Sequence, residues 1–468
     1  MTAKPMNPKE LRDAAQYSPI RLDASGAADG AGFARGAVSF LVDARGGCSH
    51  LRLLAAGSAP EVDGHPAARG ARVFDLRGYV LLPAMVNAHT HLDLTHIGPR
   101  AHDPGLGFVP WVEMIRAARA ADDDEARRSV LRGIELSRSA GVVAAGDIAG
   151  APRDTPGRAS LVPWRAMREA GFGGVSFLEF FAIGSGRERF MRWLPALLDE
   201  AARTAREEGA PRIGLQPHAP NTVELAAYEW AARVAAAHGL PLSTHLAETS
   251  EEREFIGAAR GPMRDMLERF GLWDERAAAE IGHGRSPAAH VAGVLRRARP
   301  LTAHVNDASD ADLGHLSEMG ATVAYCPRAS AYFGAPAKFG PHRYRDMLRA
   351  GVPVALGTDS LVNLPVDAAR TPAEGGRGMS ILDEMRFLWH RDGTDASALL
   401  AMGTVHGAGA LGLDTTRYVF SCESPGAGPA GGREIAGIVG VCVGQTRGDA
   451  APLLWVMESD RPAELLLD

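Results

Sequence analysis

From Tyr79 onward the chain alternates short apolar runs with charged, alanine-rich stretches, and this alternation leaves few folds open. Eight runs recur: 79–89, 141–148, 174–179, 212–218, 241–245, 299–304, 321–326 and 352–359. Between them, stretches such as 122–139, 187–209, 223–238, 250–270 and 308–319 repeat apolar residues every three or four positions, the period of a helix with one buried face. Eight strand-helix units of this length specify an α/β protein built on a parallel (β/α)8 barrel of the TIM type. A doubly wound open sheet is the rival. No GxGxxG fingerprint follows any run, so a dinucleotide-binding fold is poorly supported.

The barrel does not use the whole chain. Residues 1–17 read as a polar, mobile tail. Residues 18–78 carry short apolar pieces between glycine-rich turns, and 415–468 return to such runs at 438–443 and 453–456. These two end segments are expected to pair into one small β-sandwich, leaving 79–414 as the barrel and the glycine-rich 424–432 as a linker loop. A length of 468 residues suits one barrel plus such a module.

Composition excludes several functions. A net charge of -6, with 23% charged residues, offers no electrostatic footprint for nucleic acid. Nowhere do eighteen consecutive apolar residues occur, so no membrane span is expected, and the polar N-terminus shows no export signal. Cys48, Cys326, Cys422 and Cys442 form no CxxC pair, which implies neither a disulfide framework nor a cysteine zinc site. The expected compartment is the cytoplasm, and the expected partner is a small molecule.

In a parallel barrel the chemistry gathers at the C-terminal ends of the strands. Those ends carry His89 and His91 on the first run, His218 on the fourth, His245 on the fifth, His304 on the sixth and Asp359 on the eighth. His89 and His91 are spaced i, i+2, so a strand points both imidazoles to one face, where they can close on one ion. Neutral imidazole suits zinc, iron, nickel or copper better than calcium or magnesium. Asp359 neighbours the first strand across the barrel closure and can reach the same ion. Glu248 follows His245 by three residues, a spacing that can bring a carboxylate back over an activated water. His96, His283, His290, His315, His342, His390 and His406 lie off this pattern and read as ordinary structural or surface histidines.

The combination resembles the amidohydrolase superfamily, in particular its aminohydrolase branch of purine-type deaminases and chlorohydrolase-like enzymes. The carrying motifs are Val86-Asn-Ala-His-Thr-His91, Pro217-His-Ala-Pro220, Thr244-His-Leu-Ala-Glu-Thr249, Ala303-His304, Tyr325-Cys-Pro-Arg328 and Leu356-Gly-Thr-Asp-Ser360. The resemblance implies His89, His91, His245 and Asp359 on one divalent ion, zinc first and iron second. It implies Glu248 and His304, with Asp359, as the proton-handling groups, and His218, Arg328 and Ser360 as substrate contacts. Binuclear relatives use a carbamylated lysine on the fourth strand. The only lysines here are Lys4, Lys9 and Lys338, so a mononuclear site follows.

Within the branch, Cys326-Pro-Arg-Ala-Ser-Ala-Tyr-Phe-Gly334 and Leu382-Asp-Glu-Met-Arg-Phe-Leu388 look like the aminofutalosine-deaminase-like proteins. The expected reaction is hydrolytic deamination of an amino-substituted heterocycle such as an adenine-type nucleoside. Hydrolysis of a halide, guanidino or ring amide bond is the first alternative, and a non-catalytic scaffold derived from the family is the second. A homodimer is a family-level expectation. The proline- and glycine-containing segment 360–380, which starts beside Asp359, is expected to gate the substrate.

Overall fold

The computed structural model describes residues 8–45, 51–154, 159–204, 211–420, 432–444 and 451–468. Eight parallel strands form the barrel: β1 (Met85–Thr90), β2 (Val142–Ala149), β3 (Gly173–Phe180), β4 (Arg212–Pro217), β5 (Ser243–Leu246), β6 (Leu301–His304), β7 (Thr322–Tyr325) and β8 (Val354–Leu356). Hydrogen bonding orders them β1-β2-β3-β4 and β5-β6-β7-β8. Parallel bridges Leu215↔Leu242 and Thr90↔Asp359 join the two halves at both edges. The strands are buried along almost their whole length, as strands covered on both faces must be, which is why they appear as continuous apolar runs and not as alternating ones.

The long helical stretches subdivide where the backbone demands it. The stretch 250–270 becomes Ser250–Ala258 and Pro262–Arg269, parted at Gly261 with φ of 91° and by the proline that opens the next helix. The stretch 187–209 becomes Arg187–Met191 and Leu194–Thr204.

Two compact units emerge: Ala88–Ile134 with Ala145–Val366, and Met1–Asn87 with Glu135–Ala144 and Asp367–Asp468. Every strand-end residue singled out from the sequence belongs to the first of these.

In the other unit the chain ends meet, though in one eight-stranded sheet where a sandwich of two was expected. Its order is Arg433–Glu434, Arg52–Gly57, Val38–Asp43, Ile20–Ala28, Arg72–Pro83, Ile438–Cys442 and Ala463–Leu467, with Ala34–Arg35 paired to Ile20–Ala28. Cys442 lies opposite Tyr79 and Ile438 opposite Pro83 in antiparallel register. Leu22, Phe40, Leu76, Phe420 and Leu466 form the core of this module, and the Phe40 and Phe420 rings meet edge to face at 4.8 Å.

Three local expectations change. Residues 8–15, read as tail, form a helix whose Leu11 and Ala15 are fully buried. Arg12 in that helix donates to the carbonyls of Leu465 and Leu466 at 2.5 and 3.1 Å. Residues 453–456, read as strand, lie in the helix Pro452–Glu458. Pro452 opens it, and Leu453, Val456 and Met457 form a buried stripe at helical spacing, which a four-residue apolar run does not reveal. The linker expected at 424–432 lies, except for Gly432, outside the described residues.

The expected gate is also folded down. Residues 367–380 contain short 3-10 turns closed by a Thr371–Glu374 capping box. Gly376 donates to the Thr371 carbonyl at 2.8 Å, Gly378 to Arg370 at 2.8 Å and Met379 to Leu136 at 3.2 Å. Met379 is fully buried. A segment held by this many main-chain bonds is not a loose flap.

The buried N-terminal helix gives a direct test. Leu11→Ala should lower unfolding free energy by about 2–5 kcal/mol, the usual effect of emptying a packed leucine site. Urea unfolding measures it, and an unchanged midpoint would return residues 8–15 to the status of a tail.

Candidate active site

At the C-terminal ends of the strands the backbone leaves extended geometry. Ala247 after β5, His304 and Val305 at the end of β6, and Asp359 after β8 have φ of 50°, 73°, 50° and 58°. Non-glycine residues in this region cost energy, typically ~1–3 kcal/mol each, and persist only where neighbours hold them. Those neighbours are present. His342 Nδ1 accepts from the Tyr344 amide at 3.0 Å, which leaves its Nε2–H to donate to the His304 carbonyl at 2.9 Å. The His342 ring stacks on Tyr325 at 3.7 Å. Asp359 donates its amide to the His89 carbonyl at 3.1 Å and accepts on its carbonyl from Thr90 Oγ1 at 2.8 Å.

These turns bring side chains from four strands together. Donor atoms of His89, His91 and His245 lie within 4.8 Å of one another, as do those of His89, His304 and Asp359. His91 Nε2 is 3.3 Å from His245 Nε2 and 3.5 Å from Asp359 Oδ1, and His89 Nε2 is 3.8 Å from the same oxygen. Two ligands bound at ~2.1 Å in tetrahedral geometry stand about 3.4 Å apart, so these separations match shared coordination of one ion.

Hydrogen bonding points the same way. Both ring nitrogens of His89 and Nδ1 of His91 are buried without a hydrogen-bond partner among the described residues. Leaving such atoms unmatched is expensive, and an ion at the cluster would match His89 Nε2. His245 Nδ1 faces the His218 carbonyl at 3.0 Å, so Nδ1 carries the proton and Nε2 presents its lone pair to the cluster. Asn363 Nδ2 donates to Asp359 Oδ2 at 2.9 Å, and Ser360 Oγ donates to Asn363 Oδ1 at 2.7 Å.

Burial keeps the imidazoles neutral. It pushes His245 down to about 4, and burial followed by the neighbouring His245 holds His89, His91 and His304 well below the ordinary histidine range. Burial, then Asp359, raises the Glu248 carboxyl well above its ordinary value. Glu248 Oε1 stands 3.6 Å from His304 Nε2. The loop that aims it is tied by Glu252, which accepts from the Ala247 and Glu248 amides at 3.1 and 2.7 Å, and by Asn306, which donates to the Glu248 carbonyl at 3.0 Å. Glu248 also lines a small, partly open pocket of about 10 Å³.

Of the residues expected to touch substrate, His218 is half-buried, with Phe181 tilted against its ring at 4.5 Å and Nδ1 2.6 Å from Thr222 Oγ1. Its Nε2 faces Glu179 Oε1 at 4.0 Å. Arg328 is half-buried in the first turn of the helix Pro327–Tyr332. Ser360 differs from expectation: it is fully buried, its hydroxyl is committed to Asn363, and it supports Asp359 instead of facing a ligand.

Sequence reasoning passed over a second buried group. Arg119 Nη1 donates to Asp93 Oδ2 at 2.8 Å and Nη2 reaches Glu179 Oε2 at 3.5 Å, while Asp147 Oδ1 accepts from the Leu92 amide at 2.9 Å. Burial raises Glu179 to about 7 against the pull of Arg119, and raises Asp147 well above its usual value. Asp147 and Glu179 end the second and third apolar runs, so the strand-end rule applied there would have found both. Donor atoms of Glu179, His218 and His245 also lie within 4.8 Å of one another. His245 is common to this triad and the first, and its Nδ1 is engaged with the His218 carbonyl, so only one of the two triads can use its Nε2 at a time.

Two outcomes test the centre. Because its histidines resist protonation, zinc affinity should fall less than about tenfold between pH 7.5 and 5.5, whereas three histidines of ordinary pKa would lose about a thousandfold. Competitive chelator titration at both pH values checks it. Asn363→Ala frees one Asp359 oxygen and should weaken zinc binding by about 10–100-fold; equal affinity would remove Asn363 from the site's support.

Comparison with known proteins adds five findings. The model of the amidohydrolase family matches residues 80–416. The aminodeoxyfutalosine deaminase of Deinococcus radiodurans is 28% identical over 310 residues, 61% of this chain and 65%, just under two thirds, of that protein. A 5-methylthioadenosine/S-adenosylhomocysteine deaminase of Moorella thermoacetica is 29% identical over 358 residues, 73% of this chain and 71% of that one. Among solved structures, Helicobacter pylori aminofutalosine deaminase in complex with methylthio-coformycin superposes with a TM-score of 0.70 at 18% identity, covering 96% of this chain and 98% of that one. The zinc complex of atrazine chlorohydrolase from Arthrobacter aurescens follows at 0.65, also 18% identical, over 96% and 95%. At such identities the two structures speak for the fold alone.

Proposed function

Because the chain belongs to the amidohydrolase family, we propose that it is a metal-dependent hydrolytic deaminase of an adenine-type nucleoside, of the class to which aminofutalosine belongs. The observation that carries the reading is the placement of Glu248. It is a half-buried carboxyl whose hold on a proton is strengthened by desolvation, 3.6 Å from His304 and on the wall of a small pocket. A deaminase needs such a group, because a ring nitrogen must gain a proton as the neighbouring carbon is attacked. The deaminase names of the Deinococcus and Moorella relatives support the same choice.

His89, His91, His245 and Asp359 would hold one divalent ion, and imidazole-rich donors with a single carboxylate favour zinc. When bound, the ion supplies Lewis acidity, lowering the pKa of a water towards ~7. Asp359 and His304 orient the attacking water and accept its first proton, which passes to Glu248 as the product leaves and restores its carboxyl. Glu248 delivers its proton to the ring nitrogen, takes up the second water proton and passes it to the departing amine. The carbon gains oxygen and loses ammonia. His218 and Arg328 contact the substrate beside the reacting ring.

Ammonia release from adenine-containing nucleosides, aminofutalosine included, by zinc-loaded protein tests the reaction. No ammonia across the panel, or halide release from a chlorinated ring instead, would replace this reading. Glu248→Gln should keep its zinc while turnover falls by ~10² or more, since the amide preserves shape but has no transferable proton. Near-normal turnover in that variant would remove Glu248 from the chemistry.

A further inference from the structure

His304 ends β6 with φ of 73°, and Val305 follows it at 50°. Two successive non-glycine residues in the left-handed region make a turn that relaxes unless its surroundings hold it. This turn carries more than one ring. The Val305 amide donates to the Leu246 carbonyl at 2.9 Å, the Asp307 amide to the Ala247 carbonyl at 3.2 Å, and Asn306 Nδ2 to the Glu248 carbonyl at 3.0 Å. Residues 304–307 therefore set both the aim of the His304 imidazole and the course of the loop that bears Glu248. The two side chains meet 3.6 Å apart.

Toward β7 the strand ladder ends at the pairing of Ala303 with Ala324, so the His304 carbonyl lies past the last strand partner on that side. His342 takes the partner's place, donating from Nε2 at 2.9 Å. It reaches in from the short connection between the helices Ala335–Phe339 and Tyr344–Arg349. The ring is buried, and it stacks on Tyr325 with centroids 3.7 Å apart and planes 15° from parallel. Because Nδ1 accepts the Tyr344 amide at 3.0 Å, the proton must sit on Nε2, where the His304 carbonyl needs it. An imidazole supplies this combination of a flat ring, an acceptor at one nitrogen and a donor at the other.

We propose that His342 is a positioning residue of the reaction: through the 304–307 turn it holds His304 and Glu248 in register with each other. The proposal rests on the deaminase reading for the roles of those two groups. None of the residues assigned to the ion, His89, His91, His245 and Asp359, lies on this turn. Loss of the bond from His342 therefore disturbs proton handling and leaves the ion's ligands in place. Small displacements of a reacting group are costly, at ~10² in rate for about 1 Å.

Two variants separate positioning from general support of the fold. His342→Phe keeps a flat ring against Tyr325 and removes both hydrogen bonds. His342→Gln gives up the stack but keeps an N–H able to reach the His304 carbonyl. With zinc-loaded protein and a nucleoside that wild type deaminates, His342→Phe should lower kcat about 10–100-fold, with KM and bound zinc changed less than about twofold. His342→Gln should return kcat to within about threefold of wild type, even where urea unfolds it earlier. A purely structural role predicts the opposite order, with the stack-keeping phenylalanine the more active of the two. Undiminished kcat in His342→Phe, or glutamine no better than phenylalanine, would overturn the assignment. Crystal structures of both variants separate this proposal from the reaction itself. In His342→Phe the His304 ring should move from Glu248 by about 1 Å or more, and in His342→Gln it should superpose on wild type. If no nucleoside releases ammonia, the deaminase reading fails alone and these structures decide: a displaced His304 upholds the role of His342 in the turn, and an unmoved one refutes it.

Discussion

The site depends on one main-chain junction, the pairing of the end of β1 with the residues that follow β8. Thr90 and Asp359, 269 positions apart in sequence, form a parallel bridge. Thr358 and Asp359 both donate to the His89 carbonyl at 3.1 Å, and His91 donates to the Asp359 carbonyl at 3.3 Å. His89 and His91 are thus each fixed to the backbone of Asp359, whose carboxylate faces them. Gly357 is part of this junction: a Cβ there would stand 2.8 Å from the His89 carbonyl oxygen and 2.9 Å from Cys326 Sγ. A side chain at that position would push β8 away and open the distance between His89, His91 and Asp359.

Bringing these groups together takes several ionisable side chains out of water. Fully buried charges of this kind are unfavourable, and the cluster answers by neutralisation: imidazoles are pushed to their neutral form and Glu248 to its protonated form, both primarily by burial. The same desolvation serves the chemistry. It leaves lone pairs on His89, His91 and His245 for an ion, and a proton on a carboxyl that does not bind it. Under the proposed function, burial would by itself set the opposite protonation tendencies that the chemistry needs.

Support for the cluster comes from residues whose own functional groups are directed at the backbone or at a ligand's far side. His342 holds the His304 carbonyl, Glu252 holds the amides that aim Glu248, and Ser360 with Asn363 holds the outer oxygen of Asp359. Each of the three supported positions includes or adjoins a residue with positive φ, at His304, Ala247 and Asp359. The strained turns re-aim side chains inward, and the hydrogen bonds keep the turns from relaxing.

The sequence by itself determined the barrel and the residues that cluster at its strand ends. Buried parallel strands must be written as apolar runs, and a barrel exposes chemistry at one end of each run, so His89, His91, His218, His245, His304 and Asp359 could be found by position alone. Pairing of the two chain ends in one β module was also legible from their shared run-and-turn pattern. Local period failed where a segment was too short to have one: Leu453–Val456 looked like a strand because four apolar residues fit either period, and Leu11 was hidden in a polar segment. Tertiary structure decided the rest. Ser360 became a support because Asn363, three residues on, folds back to meet both it and Asp359. His342 gained a role through a carbonyl 38 residues away, and Arg119, at the end of a helix, reached Asp93 and Glu179 only in the folded chain. The segment 360–380 read as a gate from its prolines and glycines, and the main-chain bonds among residues 367–380 were not legible in that composition. These outcomes turn on long-range contacts, and no periodicity in a single chain encodes which distant carbonyl a side chain will reach.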